Sequence, residues 1–313
     1  MDELGSATAY PRDPRGYGRS PPDPRWPSGA KVAISFVLNY EEGGEHTPLN
    51  GDDRSEAYLH ETSAGASPRM GERAVTVESQ FDYGARAGVW RVLRLFGKRG
   101  LPLTAYAVGR ALELNPDVGR ALAEAGHEVA SHAQRWIDYR AMPEAEERAH
   151  IAASVAAIAA TTGAPPVGWY TGRVSERTRR LVVEHGGFLY DSDSYADDLP
   201  YYVRVAGRAH LVIPYALDSN DMKFAMPPGF GTGADFDAYL RDSLDTLLAE
   251  GRAGAPKMLS VGLHARLSGR PGRAAALARF LDLVADHPEV WVARRADIAR
   301  HWLATYPPED APA

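Results

Sequence analysis

From Lys31 onward the chain repeats one pattern: a short apolar run, a stretch at helical spacing, then another short run. The runs read as strands are KVAISFVL (31–38), VTVES (75–79), LTAYAV (103–108), HEVASH (127–132), PVGWY (166–170), FLYDSD (188–193), LVIPY (211–215), KMLSVGLH (257–264) and VWVAR (290–294). Helices are predicted over 85–99, 116–126, 143–162, 175–186, 236–250 and 272–286, several of them stopped by a glycine. Strands alternating with helices imply parallel pairing through right-handed crossovers, and roughly eight such units favour closure over an open sheet. The predicted fold is α/β, an irregular (β/α) TIM-like barrel of seven to eight strands. An open doubly wound sheet is the alternative, but neither G-x-G-x-x-G nor a P-loop follows the first strand.

The 313 residues suffice for one such domain. The expected organisation is a proline-rich arm over 1–25 and a single catalytic barrel over 26–313, within which 43–73 forms a long loop serving as lid or interface. A net charge of −6 argues against nucleic acid or an anionic membrane as partner. The absence of cysteine excludes disulfides, thiolate metal sites and a cysteine nucleophile. No apolar stretch at the start resembles a signal peptide, and no later one approaches the ~20 residues of a membrane span, so a cytoplasmic protein is expected.

Barrel active sites lie at the C-terminal ends of strands, where this sequence turns polar. Glu41-Glu42 follow the first run, Glu78 ends VTV, Ser131-His132 follow HEVA, and Trp169-Tyr170-Thr171-Gly172-Arg173 end the PVG run. Further along stand Asp191-Ser192-Asp193, Asp218-Ser219-Asn220-Asp221 and His264. These ends supply acids and two imidazoles. Asp191, Asp193 and Asp221 read equally well as turn caps, and Arg173 as a structural ion-pair partner.

In order along the chain stand NYEEGGE, ESQFDYGARAGVWR, SHAQRWIDYR, PVGWYTGR, GGFLYDSDSYADDLPYY, LVIPYALDSNDMKF and MLSVGLHARLSGRP. This set resembles the polysaccharide-deacetylase superfamily, and in wording its metal-independent bacterial allantoinase branch. Sugar deacetylases carry two aspartates where Glu41 and Glu42 stand, the first a base and the second a metal ligand, with two histidines four residues apart as further ligands. Here position 136 is tryptophan, so Glu42 and His132 supply two ligands where a catalytic zinc wants three. No metal or other cofactor is expected.

The resemblance implies a hydrolase opening the hydantoin ring of allantoin to allantoate in purine breakdown, and a homo-oligomer, a tetramer by likeness. Glu41 takes the role of base and His264 that of acid. Substrate contacts are assigned to Glu42, His132, Trp136, Trp169, Tyr170, Arg173, Asp193 and Asn220, with His132, Arg173 or backbone N–H groups facing the oxyanion. The alternatives are a metal-dependent deacetylase of N-acetylated sugars and a non-catalytic binding protein on an enzyme-derived barrel.

Overall fold

The computed structural model describes residues 9–62 and 67–308; the start of the arm (1–8), part of the long loop (63–66) and the end of the chain (309–313) lie outside the described residues. Its centre is β1 (Val32–Tyr40), largely apolar and buried along its whole length, as a parallel strand covered on both faces is. After the long loop come α1 (Val75–Tyr83) and α2 (Val89–Gly97), joined through a π turn at Gly84–Gly88. There follow β2 (Thr104–Ala107), α3 (Gly109–Leu114), α4 (Pro116–Glu124), β3 (Glu128–Ser131) and α5 (Glu144–Thr162). Next are β4 (Gly168–Trp169), α6 (Thr178–His185), β5 (Tyr190–Asp191), β6 (Tyr201–Val205) and β7 (Arg208–Val212). The chain closes with α7 (Gly233–Arg252), β8 (Lys257–His264), α8 (Ala265–Ser268), α9 (Pro271–Val284), β9 (Val290–Val292) and α10 (Arg295–Thr305).

The expected TIM-like α/β architecture is present as a curled sheet in the order β6-β7-β5-β4-β3-β2-β1-β8, with β9 pairing beside the first residues of β1. All pairs are parallel except the β6–β7 hairpin. The curl draws its edges together without a continuous ladder: a bridge joins Asn220 to Gly262 of β8. Gly262 permits this approach, since a Cβ there would fall 2.2 Å from the Asn220 amide. The edges are also tied by Arg295, a buried guanidinium that donates to Ser192 Oγ (3.1 Å), Ser260 Oγ (2.8 Å) and the carbonyls of Ile213 (2.5 Å) and Pro214 (2.6 Å).

The outward face of β1 packs under the helices. Phe36 sets its ring edge-on to Phe96 at 5.2 Å and to Phe280 at 6.1 Å, and each such buried phenylalanine contributes roughly 1.5–3 kcal/mol. The inward face meets Tyr106, Ala130, Tyr170 and Tyr215 in the barrel interior.

Three local readings need correction. Val75–Ser79 is not a strand but the start of α1: Ala74, Val77 and Phe81 are buried at helical spacing while Val75 is 62% exposed. A three-residue alternation was too short to fix the period. Glu78 accordingly sits on a helix, held by Arg73 and Thr47. The hairpin at Tyr201–Val212 was read only in its second half; Ala206 and Gly207, with φ of 50° and 76°, make the two-residue turn whose left-handed pair matches strand twist. The last helix, α10, was not anticipated. Among the described residues no helix is long and apolar enough to cross a membrane.

Candidate active site

Register brings the polar strand ends to one edge. Asn39 lies opposite His264 in the β1–β8 pair, Tyr40 opposite Ala107 in β1–β2, and the His132 N–H donates to the Ala107 carbonyl at 2.9 Å. Glu41, His132 and His264 therefore emerge side by side. Glu41 Oε1 lies 3.2 Å from His132 Nε2 and 3.5 Å from His264 Nε2, while its Oε2 contacts the Arg266 guanidinium at 2.7 Å. Glu42 turns back: Oε2 accepts from the Glu41 N–H at 2.8 Å and Oε1 stands 3.8 Å from Arg266 Nη1. Gly84 makes room for that carboxylate, since a Cβ there would meet Oε1 at 2.1 Å.

His264 is aimed by Asp221. One carboxylate oxygen faces Nδ1 at 2.6 Å, and the other accepts from the backbone N–H groups of His264 (2.7 Å) and Ser268 (3.0 Å). Asp221 is thus the orienting acid of the imidazole, not simply a turn cap. His132 is held in turn by the Tyr170 carbonyl, 3.2 Å from Nδ1.

These contacts set the charges. Burial alone would lower the pKa of His264, but the carboxylates of Glu41 and Asp221 outweigh it and raise it from the ordinary 6.5 to about 9. Burial would raise Glu41, yet Arg266 first and His264 second hold it well below the usual carboxylate range. Glu42 has less compensation, and burial beside Glu41 raises it to about 7 despite Arg266. The geometry thus divides two adjacent glutamates into one held ionised and one titrating near neutrality.

The remaining candidates divide too. Trp136 lies beside the centre, with Arg173 over its ring at 3.9 Å and Arg266 at 5.1 Å, and Tyr58 and Phe81 packed at 5.9 Å. Arg173 pairs with Glu56 at 3.2 Å. Tyr170 stacks on Tyr106 at 4.8 Å, its ring 5.0 Å from that of His132, and its hydroxyl meets that of Tyr195 at 2.9 Å. Trp169 does not join them. Adjacent strand residues face opposite ways, and with Tyr170 inward Trp169 points to the helix layer, against Leu181, Val182 and Phe188. Asn220 spends its amide internally, accepting from Met222 N–H (2.9 Å) and donating to Tyr215 Oη (3.1 Å). Asp193 accepts from the Thr171 and Gly172 N–H groups and belongs to a second cluster with Asp191 and Arg179, where burial and Asp191 raise it to about 7.

Sequence reasoning missed Arg266 and the orienting role of Asp221. The segment Glu56–His60 covers the centre: Glu56, Leu59 and His60 are buried, Tyr58 packs on Trp136, and Arg266 Nε donates to the Leu59 carbonyl at 3.4 Å. A catalytic zinc does not fit these residues. Glu41, His132 and His264 meet one another with the Arg266 guanidinium against both glutamates, and among the described residues no group of three or more His, Asp or Glu has the arrangement to hold a metal ion.

A buried acid between two imidazoles, one aimed by a second acid, at the C-terminal edge of a β/α sheet is equipped for general acid–base catalysis, and likeness to known proteins makes the chain a hydrolase of the deacetylase class. The polysaccharide deacetylase family profile matches residues 71–187. A Schizosaccharomyces pombe protein named among the polysaccharide deacetylases is 44% identical across 95% of this chain and 98% of its own. The chain belongs to the polysaccharide deacetylase family. Two crystal structures superpose with a TM-score of 0.92: a PuuE allantoinase, 56% identical over 96% of this chain and 99% of that one, and a Pseudomonas aeruginosa PAO1 protein named as a polysaccharide deacetylase, 55% identical over 96% and 100%.

Proposed function

We propose that this hydrolase opens the hydantoin ring of allantoin, and the observation that carries the reading is the Glu41–His264 couple with His264 locked by Asp221. The likeness to the PuuE allantoinase supports the choice of substrate. Glu41 takes a proton from water, the water oxygen bonds to the ring carbonyl carbon, and the ring C–N bond breaks as His264 gives its Nε2 proton to the leaving nitrogen. A carboxylate held ionised so strongly is a weak base. Loss of the neighbouring imidazolium charge raises its basicity in the same step, and the proton then returns from Glu41 Oε1 to His264 Nε2 across 3.5 Å. Tyr170 and Trp136 flank the ring, and His132 faces the developing oxyanion. Because Glu41 and His264 are only 1% and 4% exposed, substrate enters by displacing the Glu56–His60 segment, which gives the long loop its role as lid. The reading carries with it a cytoplasmic homotetramer, tested by sedimentation.

The second reading, a deacetylase of N-acetylated sugars, is favoured by the Pseudomonas aeruginosa neighbour and the fission-yeast relative. Purified protein offered allantoin and an N-acetylglucosamine oligomer in parallel separates the two. Release of allantoate without acetate is expected; acetate without allantoate overturns the proposal.

A further inference from the structure

Among the described residues three arginines are buried, and two of them have a partner on every guanidinium nitrogen. Arg179 places Nε and Nη2 on Asp191, with further bonds to the carbonyls of Asp193 and Ala9, and Arg295 spends its donors on two hydroxyls and two carbonyls. Arg266 is different. It is 1% exposed, its Nε makes one long bond to Leu59, its Nη1 contacts Glu41 Oε2 without hydrogen-bond geometry, and its Nη2 has no partner. Facing it, Glu42 Oε1 is equally unsatisfied. A buried charge is tolerated when every donor is matched, so unmatched donors and acceptors meeting at one point mark a place completed by something else. Its Cζ sits over the Phe81 ring, 4.2 Å from the centroid, a cation–π contact that supports the ion from that side.

We infer that Arg266 is the built-in electrophile of the site: its guanidinium occupies the place of the divalent cation for which the ligands are missing, and its free Nη2–H donates to the substrate carbonyl oxygen as that oxygen becomes an oxyanion. This rests on the hydrolytic reading above and specifies how the site works without a metal. The C–O bond forms as the C=O π pair moves onto oxygen; Arg266 gives up no proton, receives that charge through N–H···O contacts, and releases it when the C–N bond breaks. An arginine is suited to this because it stays charged at any working pH and presents several donors in one plane.

Two measurements test it, one of them independent of turnover. In folded Arg266→Ala, kcat on the substrate hydrolysed by wild type falls about 10²–10³-fold with KM changed less, and added methylguanidinium restores part of it. Arg266→Lys keeps the charge, loses the fork and recovers only partly. The acid limb of the pH profile moves to higher pH in Arg266→Ala, because Glu41 loses its principal counter-ion. Calorimetry with zinc alone compares Trp136→His with Trp136→His/Arg266→Ala; the double variant binds at least about tenfold tighter, since the imidazole pair gains a vacant cation place. Equal zinc affinities, or a folded Arg266→Ala with kcat near wild type, overturn the inference. Wild type inert on allantoin overturns the substrate reading alone, and the zinc comparison still decides the role of Arg266.

Discussion

Two buried clusters, each pairing acids with histidine and arginine, sit at strand ends of the same sheet and differ in completeness. Around Asp191, Arg179 binds both carboxylate oxygens at 2.7 and 3.0 Å, His210 Nε2 approaches at 2.8 Å, and the Asp193 N–H donates at 2.9 Å. Around Glu41, the partners stand at 3.2 and 3.5 Å, one carboxylate oxygen of each glutamate lacks a hydrogen bond, and Arg266 keeps a free N–H. Similar residue types therefore serve opposite ends. The Asp191 cluster converts its charges into stability, whereas the Glu41 cluster leaves valences open for a reacting molecule.

Exchanging one carboxylate for its amide in each cluster breaks the comparison most sharply. Glu41→Gln keeps the volume and removes the proposed base, so turnover is expected to fall about 10²–10⁴-fold while the folded protein persists. Asp191→Asn leaves Arg179 buried without its counter-ion and costs about 3–5 kcal/mol of stability, with kcat per folded molecule little changed. Denaturant melts and turnover on both variants check the pair; a stable Asp191→Asn would remove the distinction.

The next effect lies in pH. His264 has its folded pKa raised from 6.5 to about 9, so the stability it contributes is fully present below 6.5 and is lost as pH rises through 9. Turnover follows the same group: the alkaline limb falls near pH 9, not near 6.5 as an unperturbed imidazole would give. Asp221→Asn removes one of the two raising carboxylates and moves that limb to lower pH. A limb that stays in place on this variant would dissociate it from His264.

The smallest effect separates the neighbours Trp169 and Tyr170, which pack into different clusters on opposite sides of the sheet. Trp169→Phe loses the Nε1–H bond to Thr171 Oγ1 (2.7 Å) and some packing on Phe188, costing about 1 kcal/mol with KM unaltered. Tyr170→Phe, which removes the hydroxyl facing Tyr195 on the inward side, alters KM instead. Steady-state kinetics and thermal melts on the two variants distinguish the faces.

The faces also explain what the sequence could reveal. The run at Lys31–Leu38 announced a buried parallel strand, and with the alternation behind it the barrel followed; the ends of β1, β3 and β8 then pointed at Glu41, His132 and His264. Trp169 was misassigned because a two-residue strand has no internal alternation from which to read its face. Asn220 looked available until the curl of the sheet set it against Gly262 and Tyr215. Arg266 was illegible for a related reason: in ARLS it reads as the first turn of a helix, and only the register of β8 beside β1 carries its guanidinium to Glu41. Pairwise charge contacts between residues more than 200 positions apart have no local signature.

The most direct test of the account is allantoin turnover by protein stripped with EDTA and analysed for metal. Because a guanidinium stands against both glutamates and Trp136 stands where a second metal-binding imidazole would, kcat is expected to be unchanged after chelation. Turnover abolished by EDTA and restored by zinc would contradict it.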